Sequence, residues 1–132
     1  MSAIWAVQVA ALQRWKADPR LAAKVTGVYD GAAPADTPYP YIVVGQKTEA
    51  PRGALGAVGW NATLTAHIWS TYDGDKEGVE ILALMHAALR EPLALNGHGS
   101  ARLKPEQTLT LIERGGVRHF PIRYRILAWE NA

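Results

Sequence analysis

Residues 60–72, WNATLTAHIWSTY, are the stretch of sequence that decides the fold. One parity is almost wholly apolar (Trp60, Ala62, Leu64, Ala66, Ile68 and Tyr72), and the other is polar apart from Trp69. A two-residue alternation places these two sets on opposite faces of a β-strand. The stretch has no glycine or proline and is long for a strand. We therefore predict that it is the central strand of a sheet, with a neighbour on each side.

The segment before this strand predicts its first partner. Residues 41–48, YIVVGQKT, begin as an apolar run and turn polar, so we expect a strand that forms a hairpin with residues 60–72. The connection, residues 49–59, is long for a hairpin and contains three glycines. Loops longer than their geometry requires are often functional, which makes Arg52, Leu55 and Val58 candidate partner-contact residues. The alternative is a disordered hairpin tip.

Helical periodicity and turn residues place the other elements around this hairpin. Helices are predicted over residues 2–17, 19–24 and 76–90, with Ser2, Asp18 and Asp75 as caps. Further strands are predicted at 28–30, 93–95, 108–113 and 117–129, the last two joined across Gly115-Gly116. The fold class is therefore α+β. We expect a single domain spanning residues 1–132, with two main helices packed on a small, mainly antiparallel sheet of about four to five strands.

The helix over residues 76–90 should cover the central strand. Its predicted inner face carries Val79, Leu82, Met85, His86 and Leu89, with Ile81 and Leu84 on the flanks. We therefore expect the core to bury Leu64 and Ile68 of the strand together with Leu82 and Met85 of the helix.

Composition excludes several classes of function. The chain has 132 residues, 48% of them hydrophobic, and no cysteine, so thiolate metal sites and cysteine nucleophiles are absent. Its net charge of +2 comes from 14 basic and 12 acidic residues, a balance unusual for a nucleic-acid binder. Arg114, Arg118, Arg123 and Arg125 could contact a phosphate backbone, but cations on an edge strand also prevent edge pairing. With no signal-peptide order and no membrane-length apolar run, we expect a soluble protein made in the cytoplasm.

Motifs for catalysis and for metal binding are incomplete. The four histidines share no ligand-type spacing, and the acidic turn Asp73-Gly74-Asp75 resembles a calcium loop that fails at Leu84, where a glutamate is needed. Ser100 lies outside the strand-to-helix turn that a nucleophilic serine requires. The sequence thus predicts no catalytic residue, no cofactor and no metal, and we expect a protein that is not an enzyme.

The order of the segments carries a family resemblance over nearly the whole chain. After the first helix come LAAKVTGVYDGAAPADTPYPYIVVG (residues 21–45), LTAHIWSTYDGDKEGVEILALMHAAL (64–89), PLALNGH (92–98) and RHFPIRYRILAW (118–129). This succession resembles the tail-completion or tail-terminator proteins of long-tailed bacteriophages and related phage-derived particles. Its most specific pieces are the "VYDG…PYPYIVVG" passage and the "H-W-S" strand before an alanine-rich helix.

The resemblance implies a structural role in the virion tail. Such proteins form a ring, usually a hexamer, at the head-proximal end of the tail tube, where they end tube growth and offer a surface to the head. The implied partners are copies of itself, the tail tube protein and the head-tail connector protein. No membrane and no sequence-specific nucleic acid is implied, although such a ring can let DNA pass through it. Two alternatives stay open: another head-tail joining ring protein, or a small ligand-binding domain or enzyme whose pocket the sequence does not reveal.

Overall fold

The computed structural model describes residues 2–131, apart from the side chain of Ala54. Within them the helices are α1 Ile4–Ala17, α2 Pro19–Lys24 and α3 Lys76–Ala88. The strands are β1 Val28–Asp30, β2 Tyr41–Ala54, β3 Ala57–Ser70, β4 Leu93–Leu95, β5 Gly99–Ala101, β6 Lys104–Thr108, β7 Leu111–Ile112 and β8 Arg118–Trp129. No helix in this part of the chain is long and apolar enough to cross a membrane.

The predicted central strand is confirmed. The main sheet has the order β1-β2-β3-β8-β6, and β3 pairs antiparallel with β2 and with β8 along almost its whole length. Its inward residues are buried as the alternation predicts: Ala62, Leu64, Ala66 and Ile68. Trp60 is only partly buried, and Tyr72 is 45% exposed because β3 ends at Ser70.

The α+β class is confirmed, but the predicted sheet was too small and too uniformly antiparallel. The described chain forms a mixed sheet of six strands, in which β1 runs parallel to β2, and β4 pairs with β5 in a separate small sheet. The predicted strand 108–113 is in part wrong: it contains β7 but only the last residue of β6, which begins earlier at Lys104, and both strands pair with β8. Pro121 of β8 lies opposite the break between β6 and β7, where a residue without an N–H interrupts no ladder. Its carbonyl accepts a bond of 2.9 Å from the N–H of Leu109.

The helices cover one face of this sheet. Trp15 of α1 lies fully buried, and its Nε1–H donates to the Met85 carbonyl of α3 at 3.2 Å. Asp18 caps α2 as predicted, since its carboxylate accepts from the N–H groups of Arg20 and Leu21. Helix α1 begins at Ile4, and the Ser2 hydroxyl instead donates to Glu49.

The inner face of α3 is rotated relative to the prediction. Leu64, Ile68 and Met85 are buried as expected, but Leu82 is only partly buried. The close approach of α3 to β8 at Gly78 explains this, because a Cβ there would lie 2.1 Å from Phe120 Cε1. Residues three and seven positions beyond Gly78 share its helical face, so Ile81 and Met85 point into the core. Val79 is left 49% exposed.

The predicted loop over residues 49–59 is wrong. Strand β2 continues to Ala54 and β3 begins at Ala57, so only Leu55 and Gly56 form the turn. Gly56 takes a left-handed conformation with φ 74°. Pro51 is tolerated because β2 pairs with β1 only over residues 42–44 and has a free edge further on. Gly59 is required by packing, since a Cβ there would lie 2.4 Å from Trp129 Cε3.

Candidate functional site

The face of the sheet opposite the core carries no helix in the described chain. Its residues are set by the register, because directly paired residues of antiparallel strands share a face. The rows that cross β3 and β8 pair Trp69 with His119, His67 with Pro121, Thr65 with Arg123, Thr63 with Arg125 and Asn61 with Leu127. We call this surface the open face. It has an aromatic end at Trp69 and a basic end at Arg125.

The aromatic end is a stack of rings joined by hydrogen bonds. The Trp69 and His119 rings lie parallel, with their centroids 3.8 Å apart. His67 Nδ1 lies 2.7 Å from His119 Nε2, and His119 Nδ1 lies 2.9 Å from Glu113 Oε1. When neutral His119 donates from Nδ1 to Glu113, its Nε2 is left to accept from His67 Nδ1–H. Glycine at position 45 makes room, because a Cβ there would lie 2.7 Å from His67 Nε2.

This histidine pair was missed by sequence reasoning. His67 and His119 lie on different strands, so their separation along the chain shows no ligand spacing. The one signal in the sequence was that both residues belong to the polar, outward-facing set of their strands. The three polar groups form a chain with His119 in the middle, rather than converging on a point. No group of three or more His, Asp or Glu residues in the described part of the chain is arranged to hold a metal ion.

The histidine pair predicts a pH dependence of stability. Burial, and then the positive charge of His119, hold the pKa of His67 below its ordinary value. The unfolded chain therefore binds more protons than the folded chain as the pH falls below about 6.5, and the free energy of unfolding decreases with falling pH. Burial lowers the pKa of His86 as well, which adds a loss of the same sign.

We expect His67→Asn to make this acid loss of stability shallower. The measurement is the melting temperature of both proteins between about pH 7.5 and about pH 5. The same measurement on His86→Asn gives the contribution of His86 to the loss of stability at acid pH. A His67→Asn profile parallel to that of the wild type would contradict the assignment.

The basic end is organised around one carboxylate. Glu106 accepts from Arg123 Nε at 2.9 Å and from Arg125 Nε at 3.0 Å. The hydrogen bond from Arg125, together with the charge of both arginines, holds the pKa of Glu106 below its usual range. Arg125 also donates to Asn61 Oδ1 at 2.6 Å. These arginines are therefore held in place by bonds from several sides.

The predicted group of four arginines divides between two places. Arg118 lies at the other end of β8, within 3.5 Å of Asp73 and 3.6 Å of Asp75, and Arg114 lies exposed in the turn before β8. Arg123 and Arg125 share the carboxylate of Glu106. Arg125, with cations from other elements, borders an open cleft of ≈ 630 Å³, which we call the basic cleft and which is lined by Arg52, Asn61, Arg102, Lys104, Pro105, Glu106, Arg125, Ile126 and Leu127.

The predicted contact residues Arg52, Leu55 and Val58 lie on a projecting hairpin. β8 ends at Trp129, opposite Gly59, so residues 53–58 extend beyond β8 as a two-stranded arm, whose base is held by a bond of 2.8 Å from the Glu130 N–H to the Val58 carbonyl. Leu55 at its tip is 106% exposed and Val58 is 51% exposed. Arg52 lies at the base of the arm and lines the basic cleft. The structure thus places Leu55 and Val58 together and directs Arg52 to a different surface.

Comparisons with known proteins agree with this architecture. The model of a family described as tail completion protein gp17 matches residues 9–128. A solved chain from the virion of a native gene transfer agent (GTA) particle is similar, with a TM-score of 0.83, 21% identity and coverage of 93% of this chain and 94% of that one. The structure of the bacteriophage SPP1 gp17 protein is similar with a TM-score of 0.59, 22% identity and coverage of 96% and 90%. These identities show a shared fold. No curated protein matches the sequence.

Proposed function

The chain belongs to the tail completion protein gp17 family, and from this premise we propose that it forms a ring at the head-proximal end of a phage tail tube. Membership makes it a structural component of the virion tail. In the proposed role it ends polymerisation of the tube and offers the surface to which the head attaches. Its partners are further copies of itself, the tail tube protein and the head-tail connector protein. The role requires contact surfaces rather than turnover of a substrate.

The observation that supports this role most directly is the arm. A two-stranded hairpin without a third strand is only marginally stable in water. The arm nevertheless carries Leu55 and Val58 in exposed positions, and the side chain of Leu55 does not pack against the core. Burying one such side chain against a partner contributes about 1.5–3 kcal/mol. An apolar tip on a projecting hairpin therefore suits a segment that packs on a neighbouring protein.

A ring also needs two different surfaces on each subunit. Head-to-tail contacts between unlike patches close into a ring when the rotation between subunits allows it. The arm projects from one end of β2 and β3, whereas the Trp69–His119 stack lies at the other end of the open face. The fold thus presents separated surfaces, as a subunit with neighbours in a ring and partners in the tail requires. We propose a hexamer as the assembled state.

We expect a shortened arm to fold and to fail in tail completion. Replacing residues 53–58 by Asn-Gly keeps the pair Arg52–Gly59 as the last pair of the ladder and supplies a favoured hairpin turn. No core side chain is removed, so the melting temperature should change little. Complementation of particles that lack the protein should then give few tails of normal length joined to heads.

A matched pair of point variants separates the arm from general surface hydrophobicity. Leu55→Ser removes the apolar tip, and Val79→Ser removes an exposed apolar residue of α3. We expect the first to impair tail completion and the second to leave it unchanged. Normal tails with both Leu55→Ser and the shortened arm would show that the arm is only a connection between strands.

A further inference from the structure

The basic cleft carries a local excess of positive charge in a chain whose total charge is nearly balanced. The total charge is +2, from 14 basic and 12 acidic residues. Four of the basic residues line this cleft, where Glu106 is the one acidic residue among the lining residues. Glu106 is already bonded to Arg123 and Arg125. The cleft therefore holds a surplus of positive charge that the net charge of the sequence conceals.

Three of these cations have no partner within residues 2–131. Arg52, Arg102 and Lys104 are all exposed, and none of them forms a hydrogen bond or ion pair with another residue of the described chain. Arg125 contributes a guanidinium fixed by Glu106 and Asn61. One preorganised arginine beside three free cations makes a site for an anion, because guanidinium forks match the oxygens of phosphates and carboxylates.

The cations are spread along a line rather than gathered at a point. Lys104 on β6 pairs opposite Arg125 on β8, and Arg52 lies on β2, on the same face as Asn61 of β3. These four strands are successive neighbours in the sheet. Strands lie ~4.8 Å apart, and Arg52 lies four residues further along the strands than the row of Lys104, so the line from Lys104 to Arg52 runs diagonally over ~20 Å of the sheet. One strand of a DNA duplex carries a charge every ~3.4 Å along the axis, so this length covers about six phosphates.

We infer that the basic cleft binds the phosphate backbone of duplex DNA without reading its sequence. A linear polyanion fits cations that extend across four strands better than a single carboxylate does. Because the cations lie on the surface of a sheet, they can contact the phosphates without any part of the protein entering a groove of the DNA. The base edges in the grooves are therefore not read. This inference rests on the proposed ring, because DNA that enters or leaves a head joined to the tail has to pass it.

The test is binding of a labelled duplex of about 30 bp of arbitrary sequence, measured by fluorescence anisotropy from about 50 to about 200 mM salt. The first variant is Arg52→Gln/Arg102→Gln/Lys104→Gln. The matched control is Lys16→Gln/Arg90→Gln/Arg114→Gln, which removes the same charge from exposed cations elsewhere on the surface.

We expect the wild type to bind with a strong salt dependence. The cleft variant should bind at least about ten-fold more weakly at low salt, and the slope of log affinity against log salt should fall by about three. The control variant should stay within about two-fold of the wild type. A duplex of scrambled sequence should bind equally well. Equal losses in both variants, or no salt-dependent binding by the wild type, would overturn the inference.

Two further measurements separate this inference from its alternatives. An octaglutamate peptide tests for an acidic protein as the true occupant, and tighter binding of the peptide than of the duplex would overturn the DNA assignment. The mass of the assembled protein, by light scattering, tests for an interface between copies. We expect the cleft variant to assemble like the wild type. If it stays monomeric while the wild type assembles, the cations face a neighbouring subunit and the ring proposal stands without the DNA site.

Discussion

Trp15→Ala is expected to lower the free energy of unfolding by about 3–5 kcal/mol, the range for removing a buried tryptophan. Trp15 is fully buried, its ring lies 5.6 Å from that of Tyr124, and its Nε1–H donates to the Met85 carbonyl. It therefore joins α1, α3 and β8 at one point. A domain is stable by only about 5–15 kcal/mol, so this loss is a large share of the total.

The same helix supplies the control for this variant. Trp5 is 67% exposed, and a surface substitution usually changes the free energy of unfolding by no more than about 0.5 kcal/mol. Chemical denaturation of Trp15→Ala, Trp5→Ala and the wild type measures both losses with one residue type on one helix. Similar losses for the two variants would mean that α1 packs on the sheet by a different face.

The sequence was sufficient to predict the core strands. The alternation in β3 and β8 determined which side chains are buried, since a strand has only two faces and a shift of one residue exchanges them. Leu64, Ile68, Phe120 and Ile122 are buried as that alternation requires. The rotation of α3 was harder to predict, because it depends on the contact of Gly78 with Phe120 across two elements distant in sequence.

The arm was misjudged because glycine and proline are weak guides at the edge of a sheet. Gly53, Gly59 and Pro51 suggested a loop, yet each lies in a strand. Pro51 lies at the free edge of β2, where no neighbouring strand requires an N–H. At Gly59, the Trp129 ring occupies the space that a side chain would need. Both reasons depend on where β1 and β8 end, which no local pattern shows.

The surface groups were beyond prediction for a similar reason. His67 lies beside His119, and Arg52 lines the same cleft as Arg125, only once the strands are in register. Composition gave a balanced charge for the whole chain, whereas the fold collects in one cleft several cations that have no partner within residues 2–131. The paired residues of β3 and β8 on the open face, from Trp69 and His119 to Asn61 and Leu127, are thus 50 or more positions apart in the chain.

Without this protein, we expect nearly every particle to have a tail of abnormal length and no attached head, rather than a small fraction of particles. If the ring ends polymerisation of the tube, a tube without it has no signal to stop and no surface for the head. Because the same protein is proposed to serve both steps, the two defects should occur in the same particles. Expression of the wild-type protein in trans should restore both, whereas the shortened arm should restore neither.

The most direct measurement is negative-stain imaging of particles made without the gene, with tail length and head attachment scored for each particle. We expect tails of abnormal, widely distributed length that are not joined to heads. Tails of normal, uniform length joined to filled heads would contradict it.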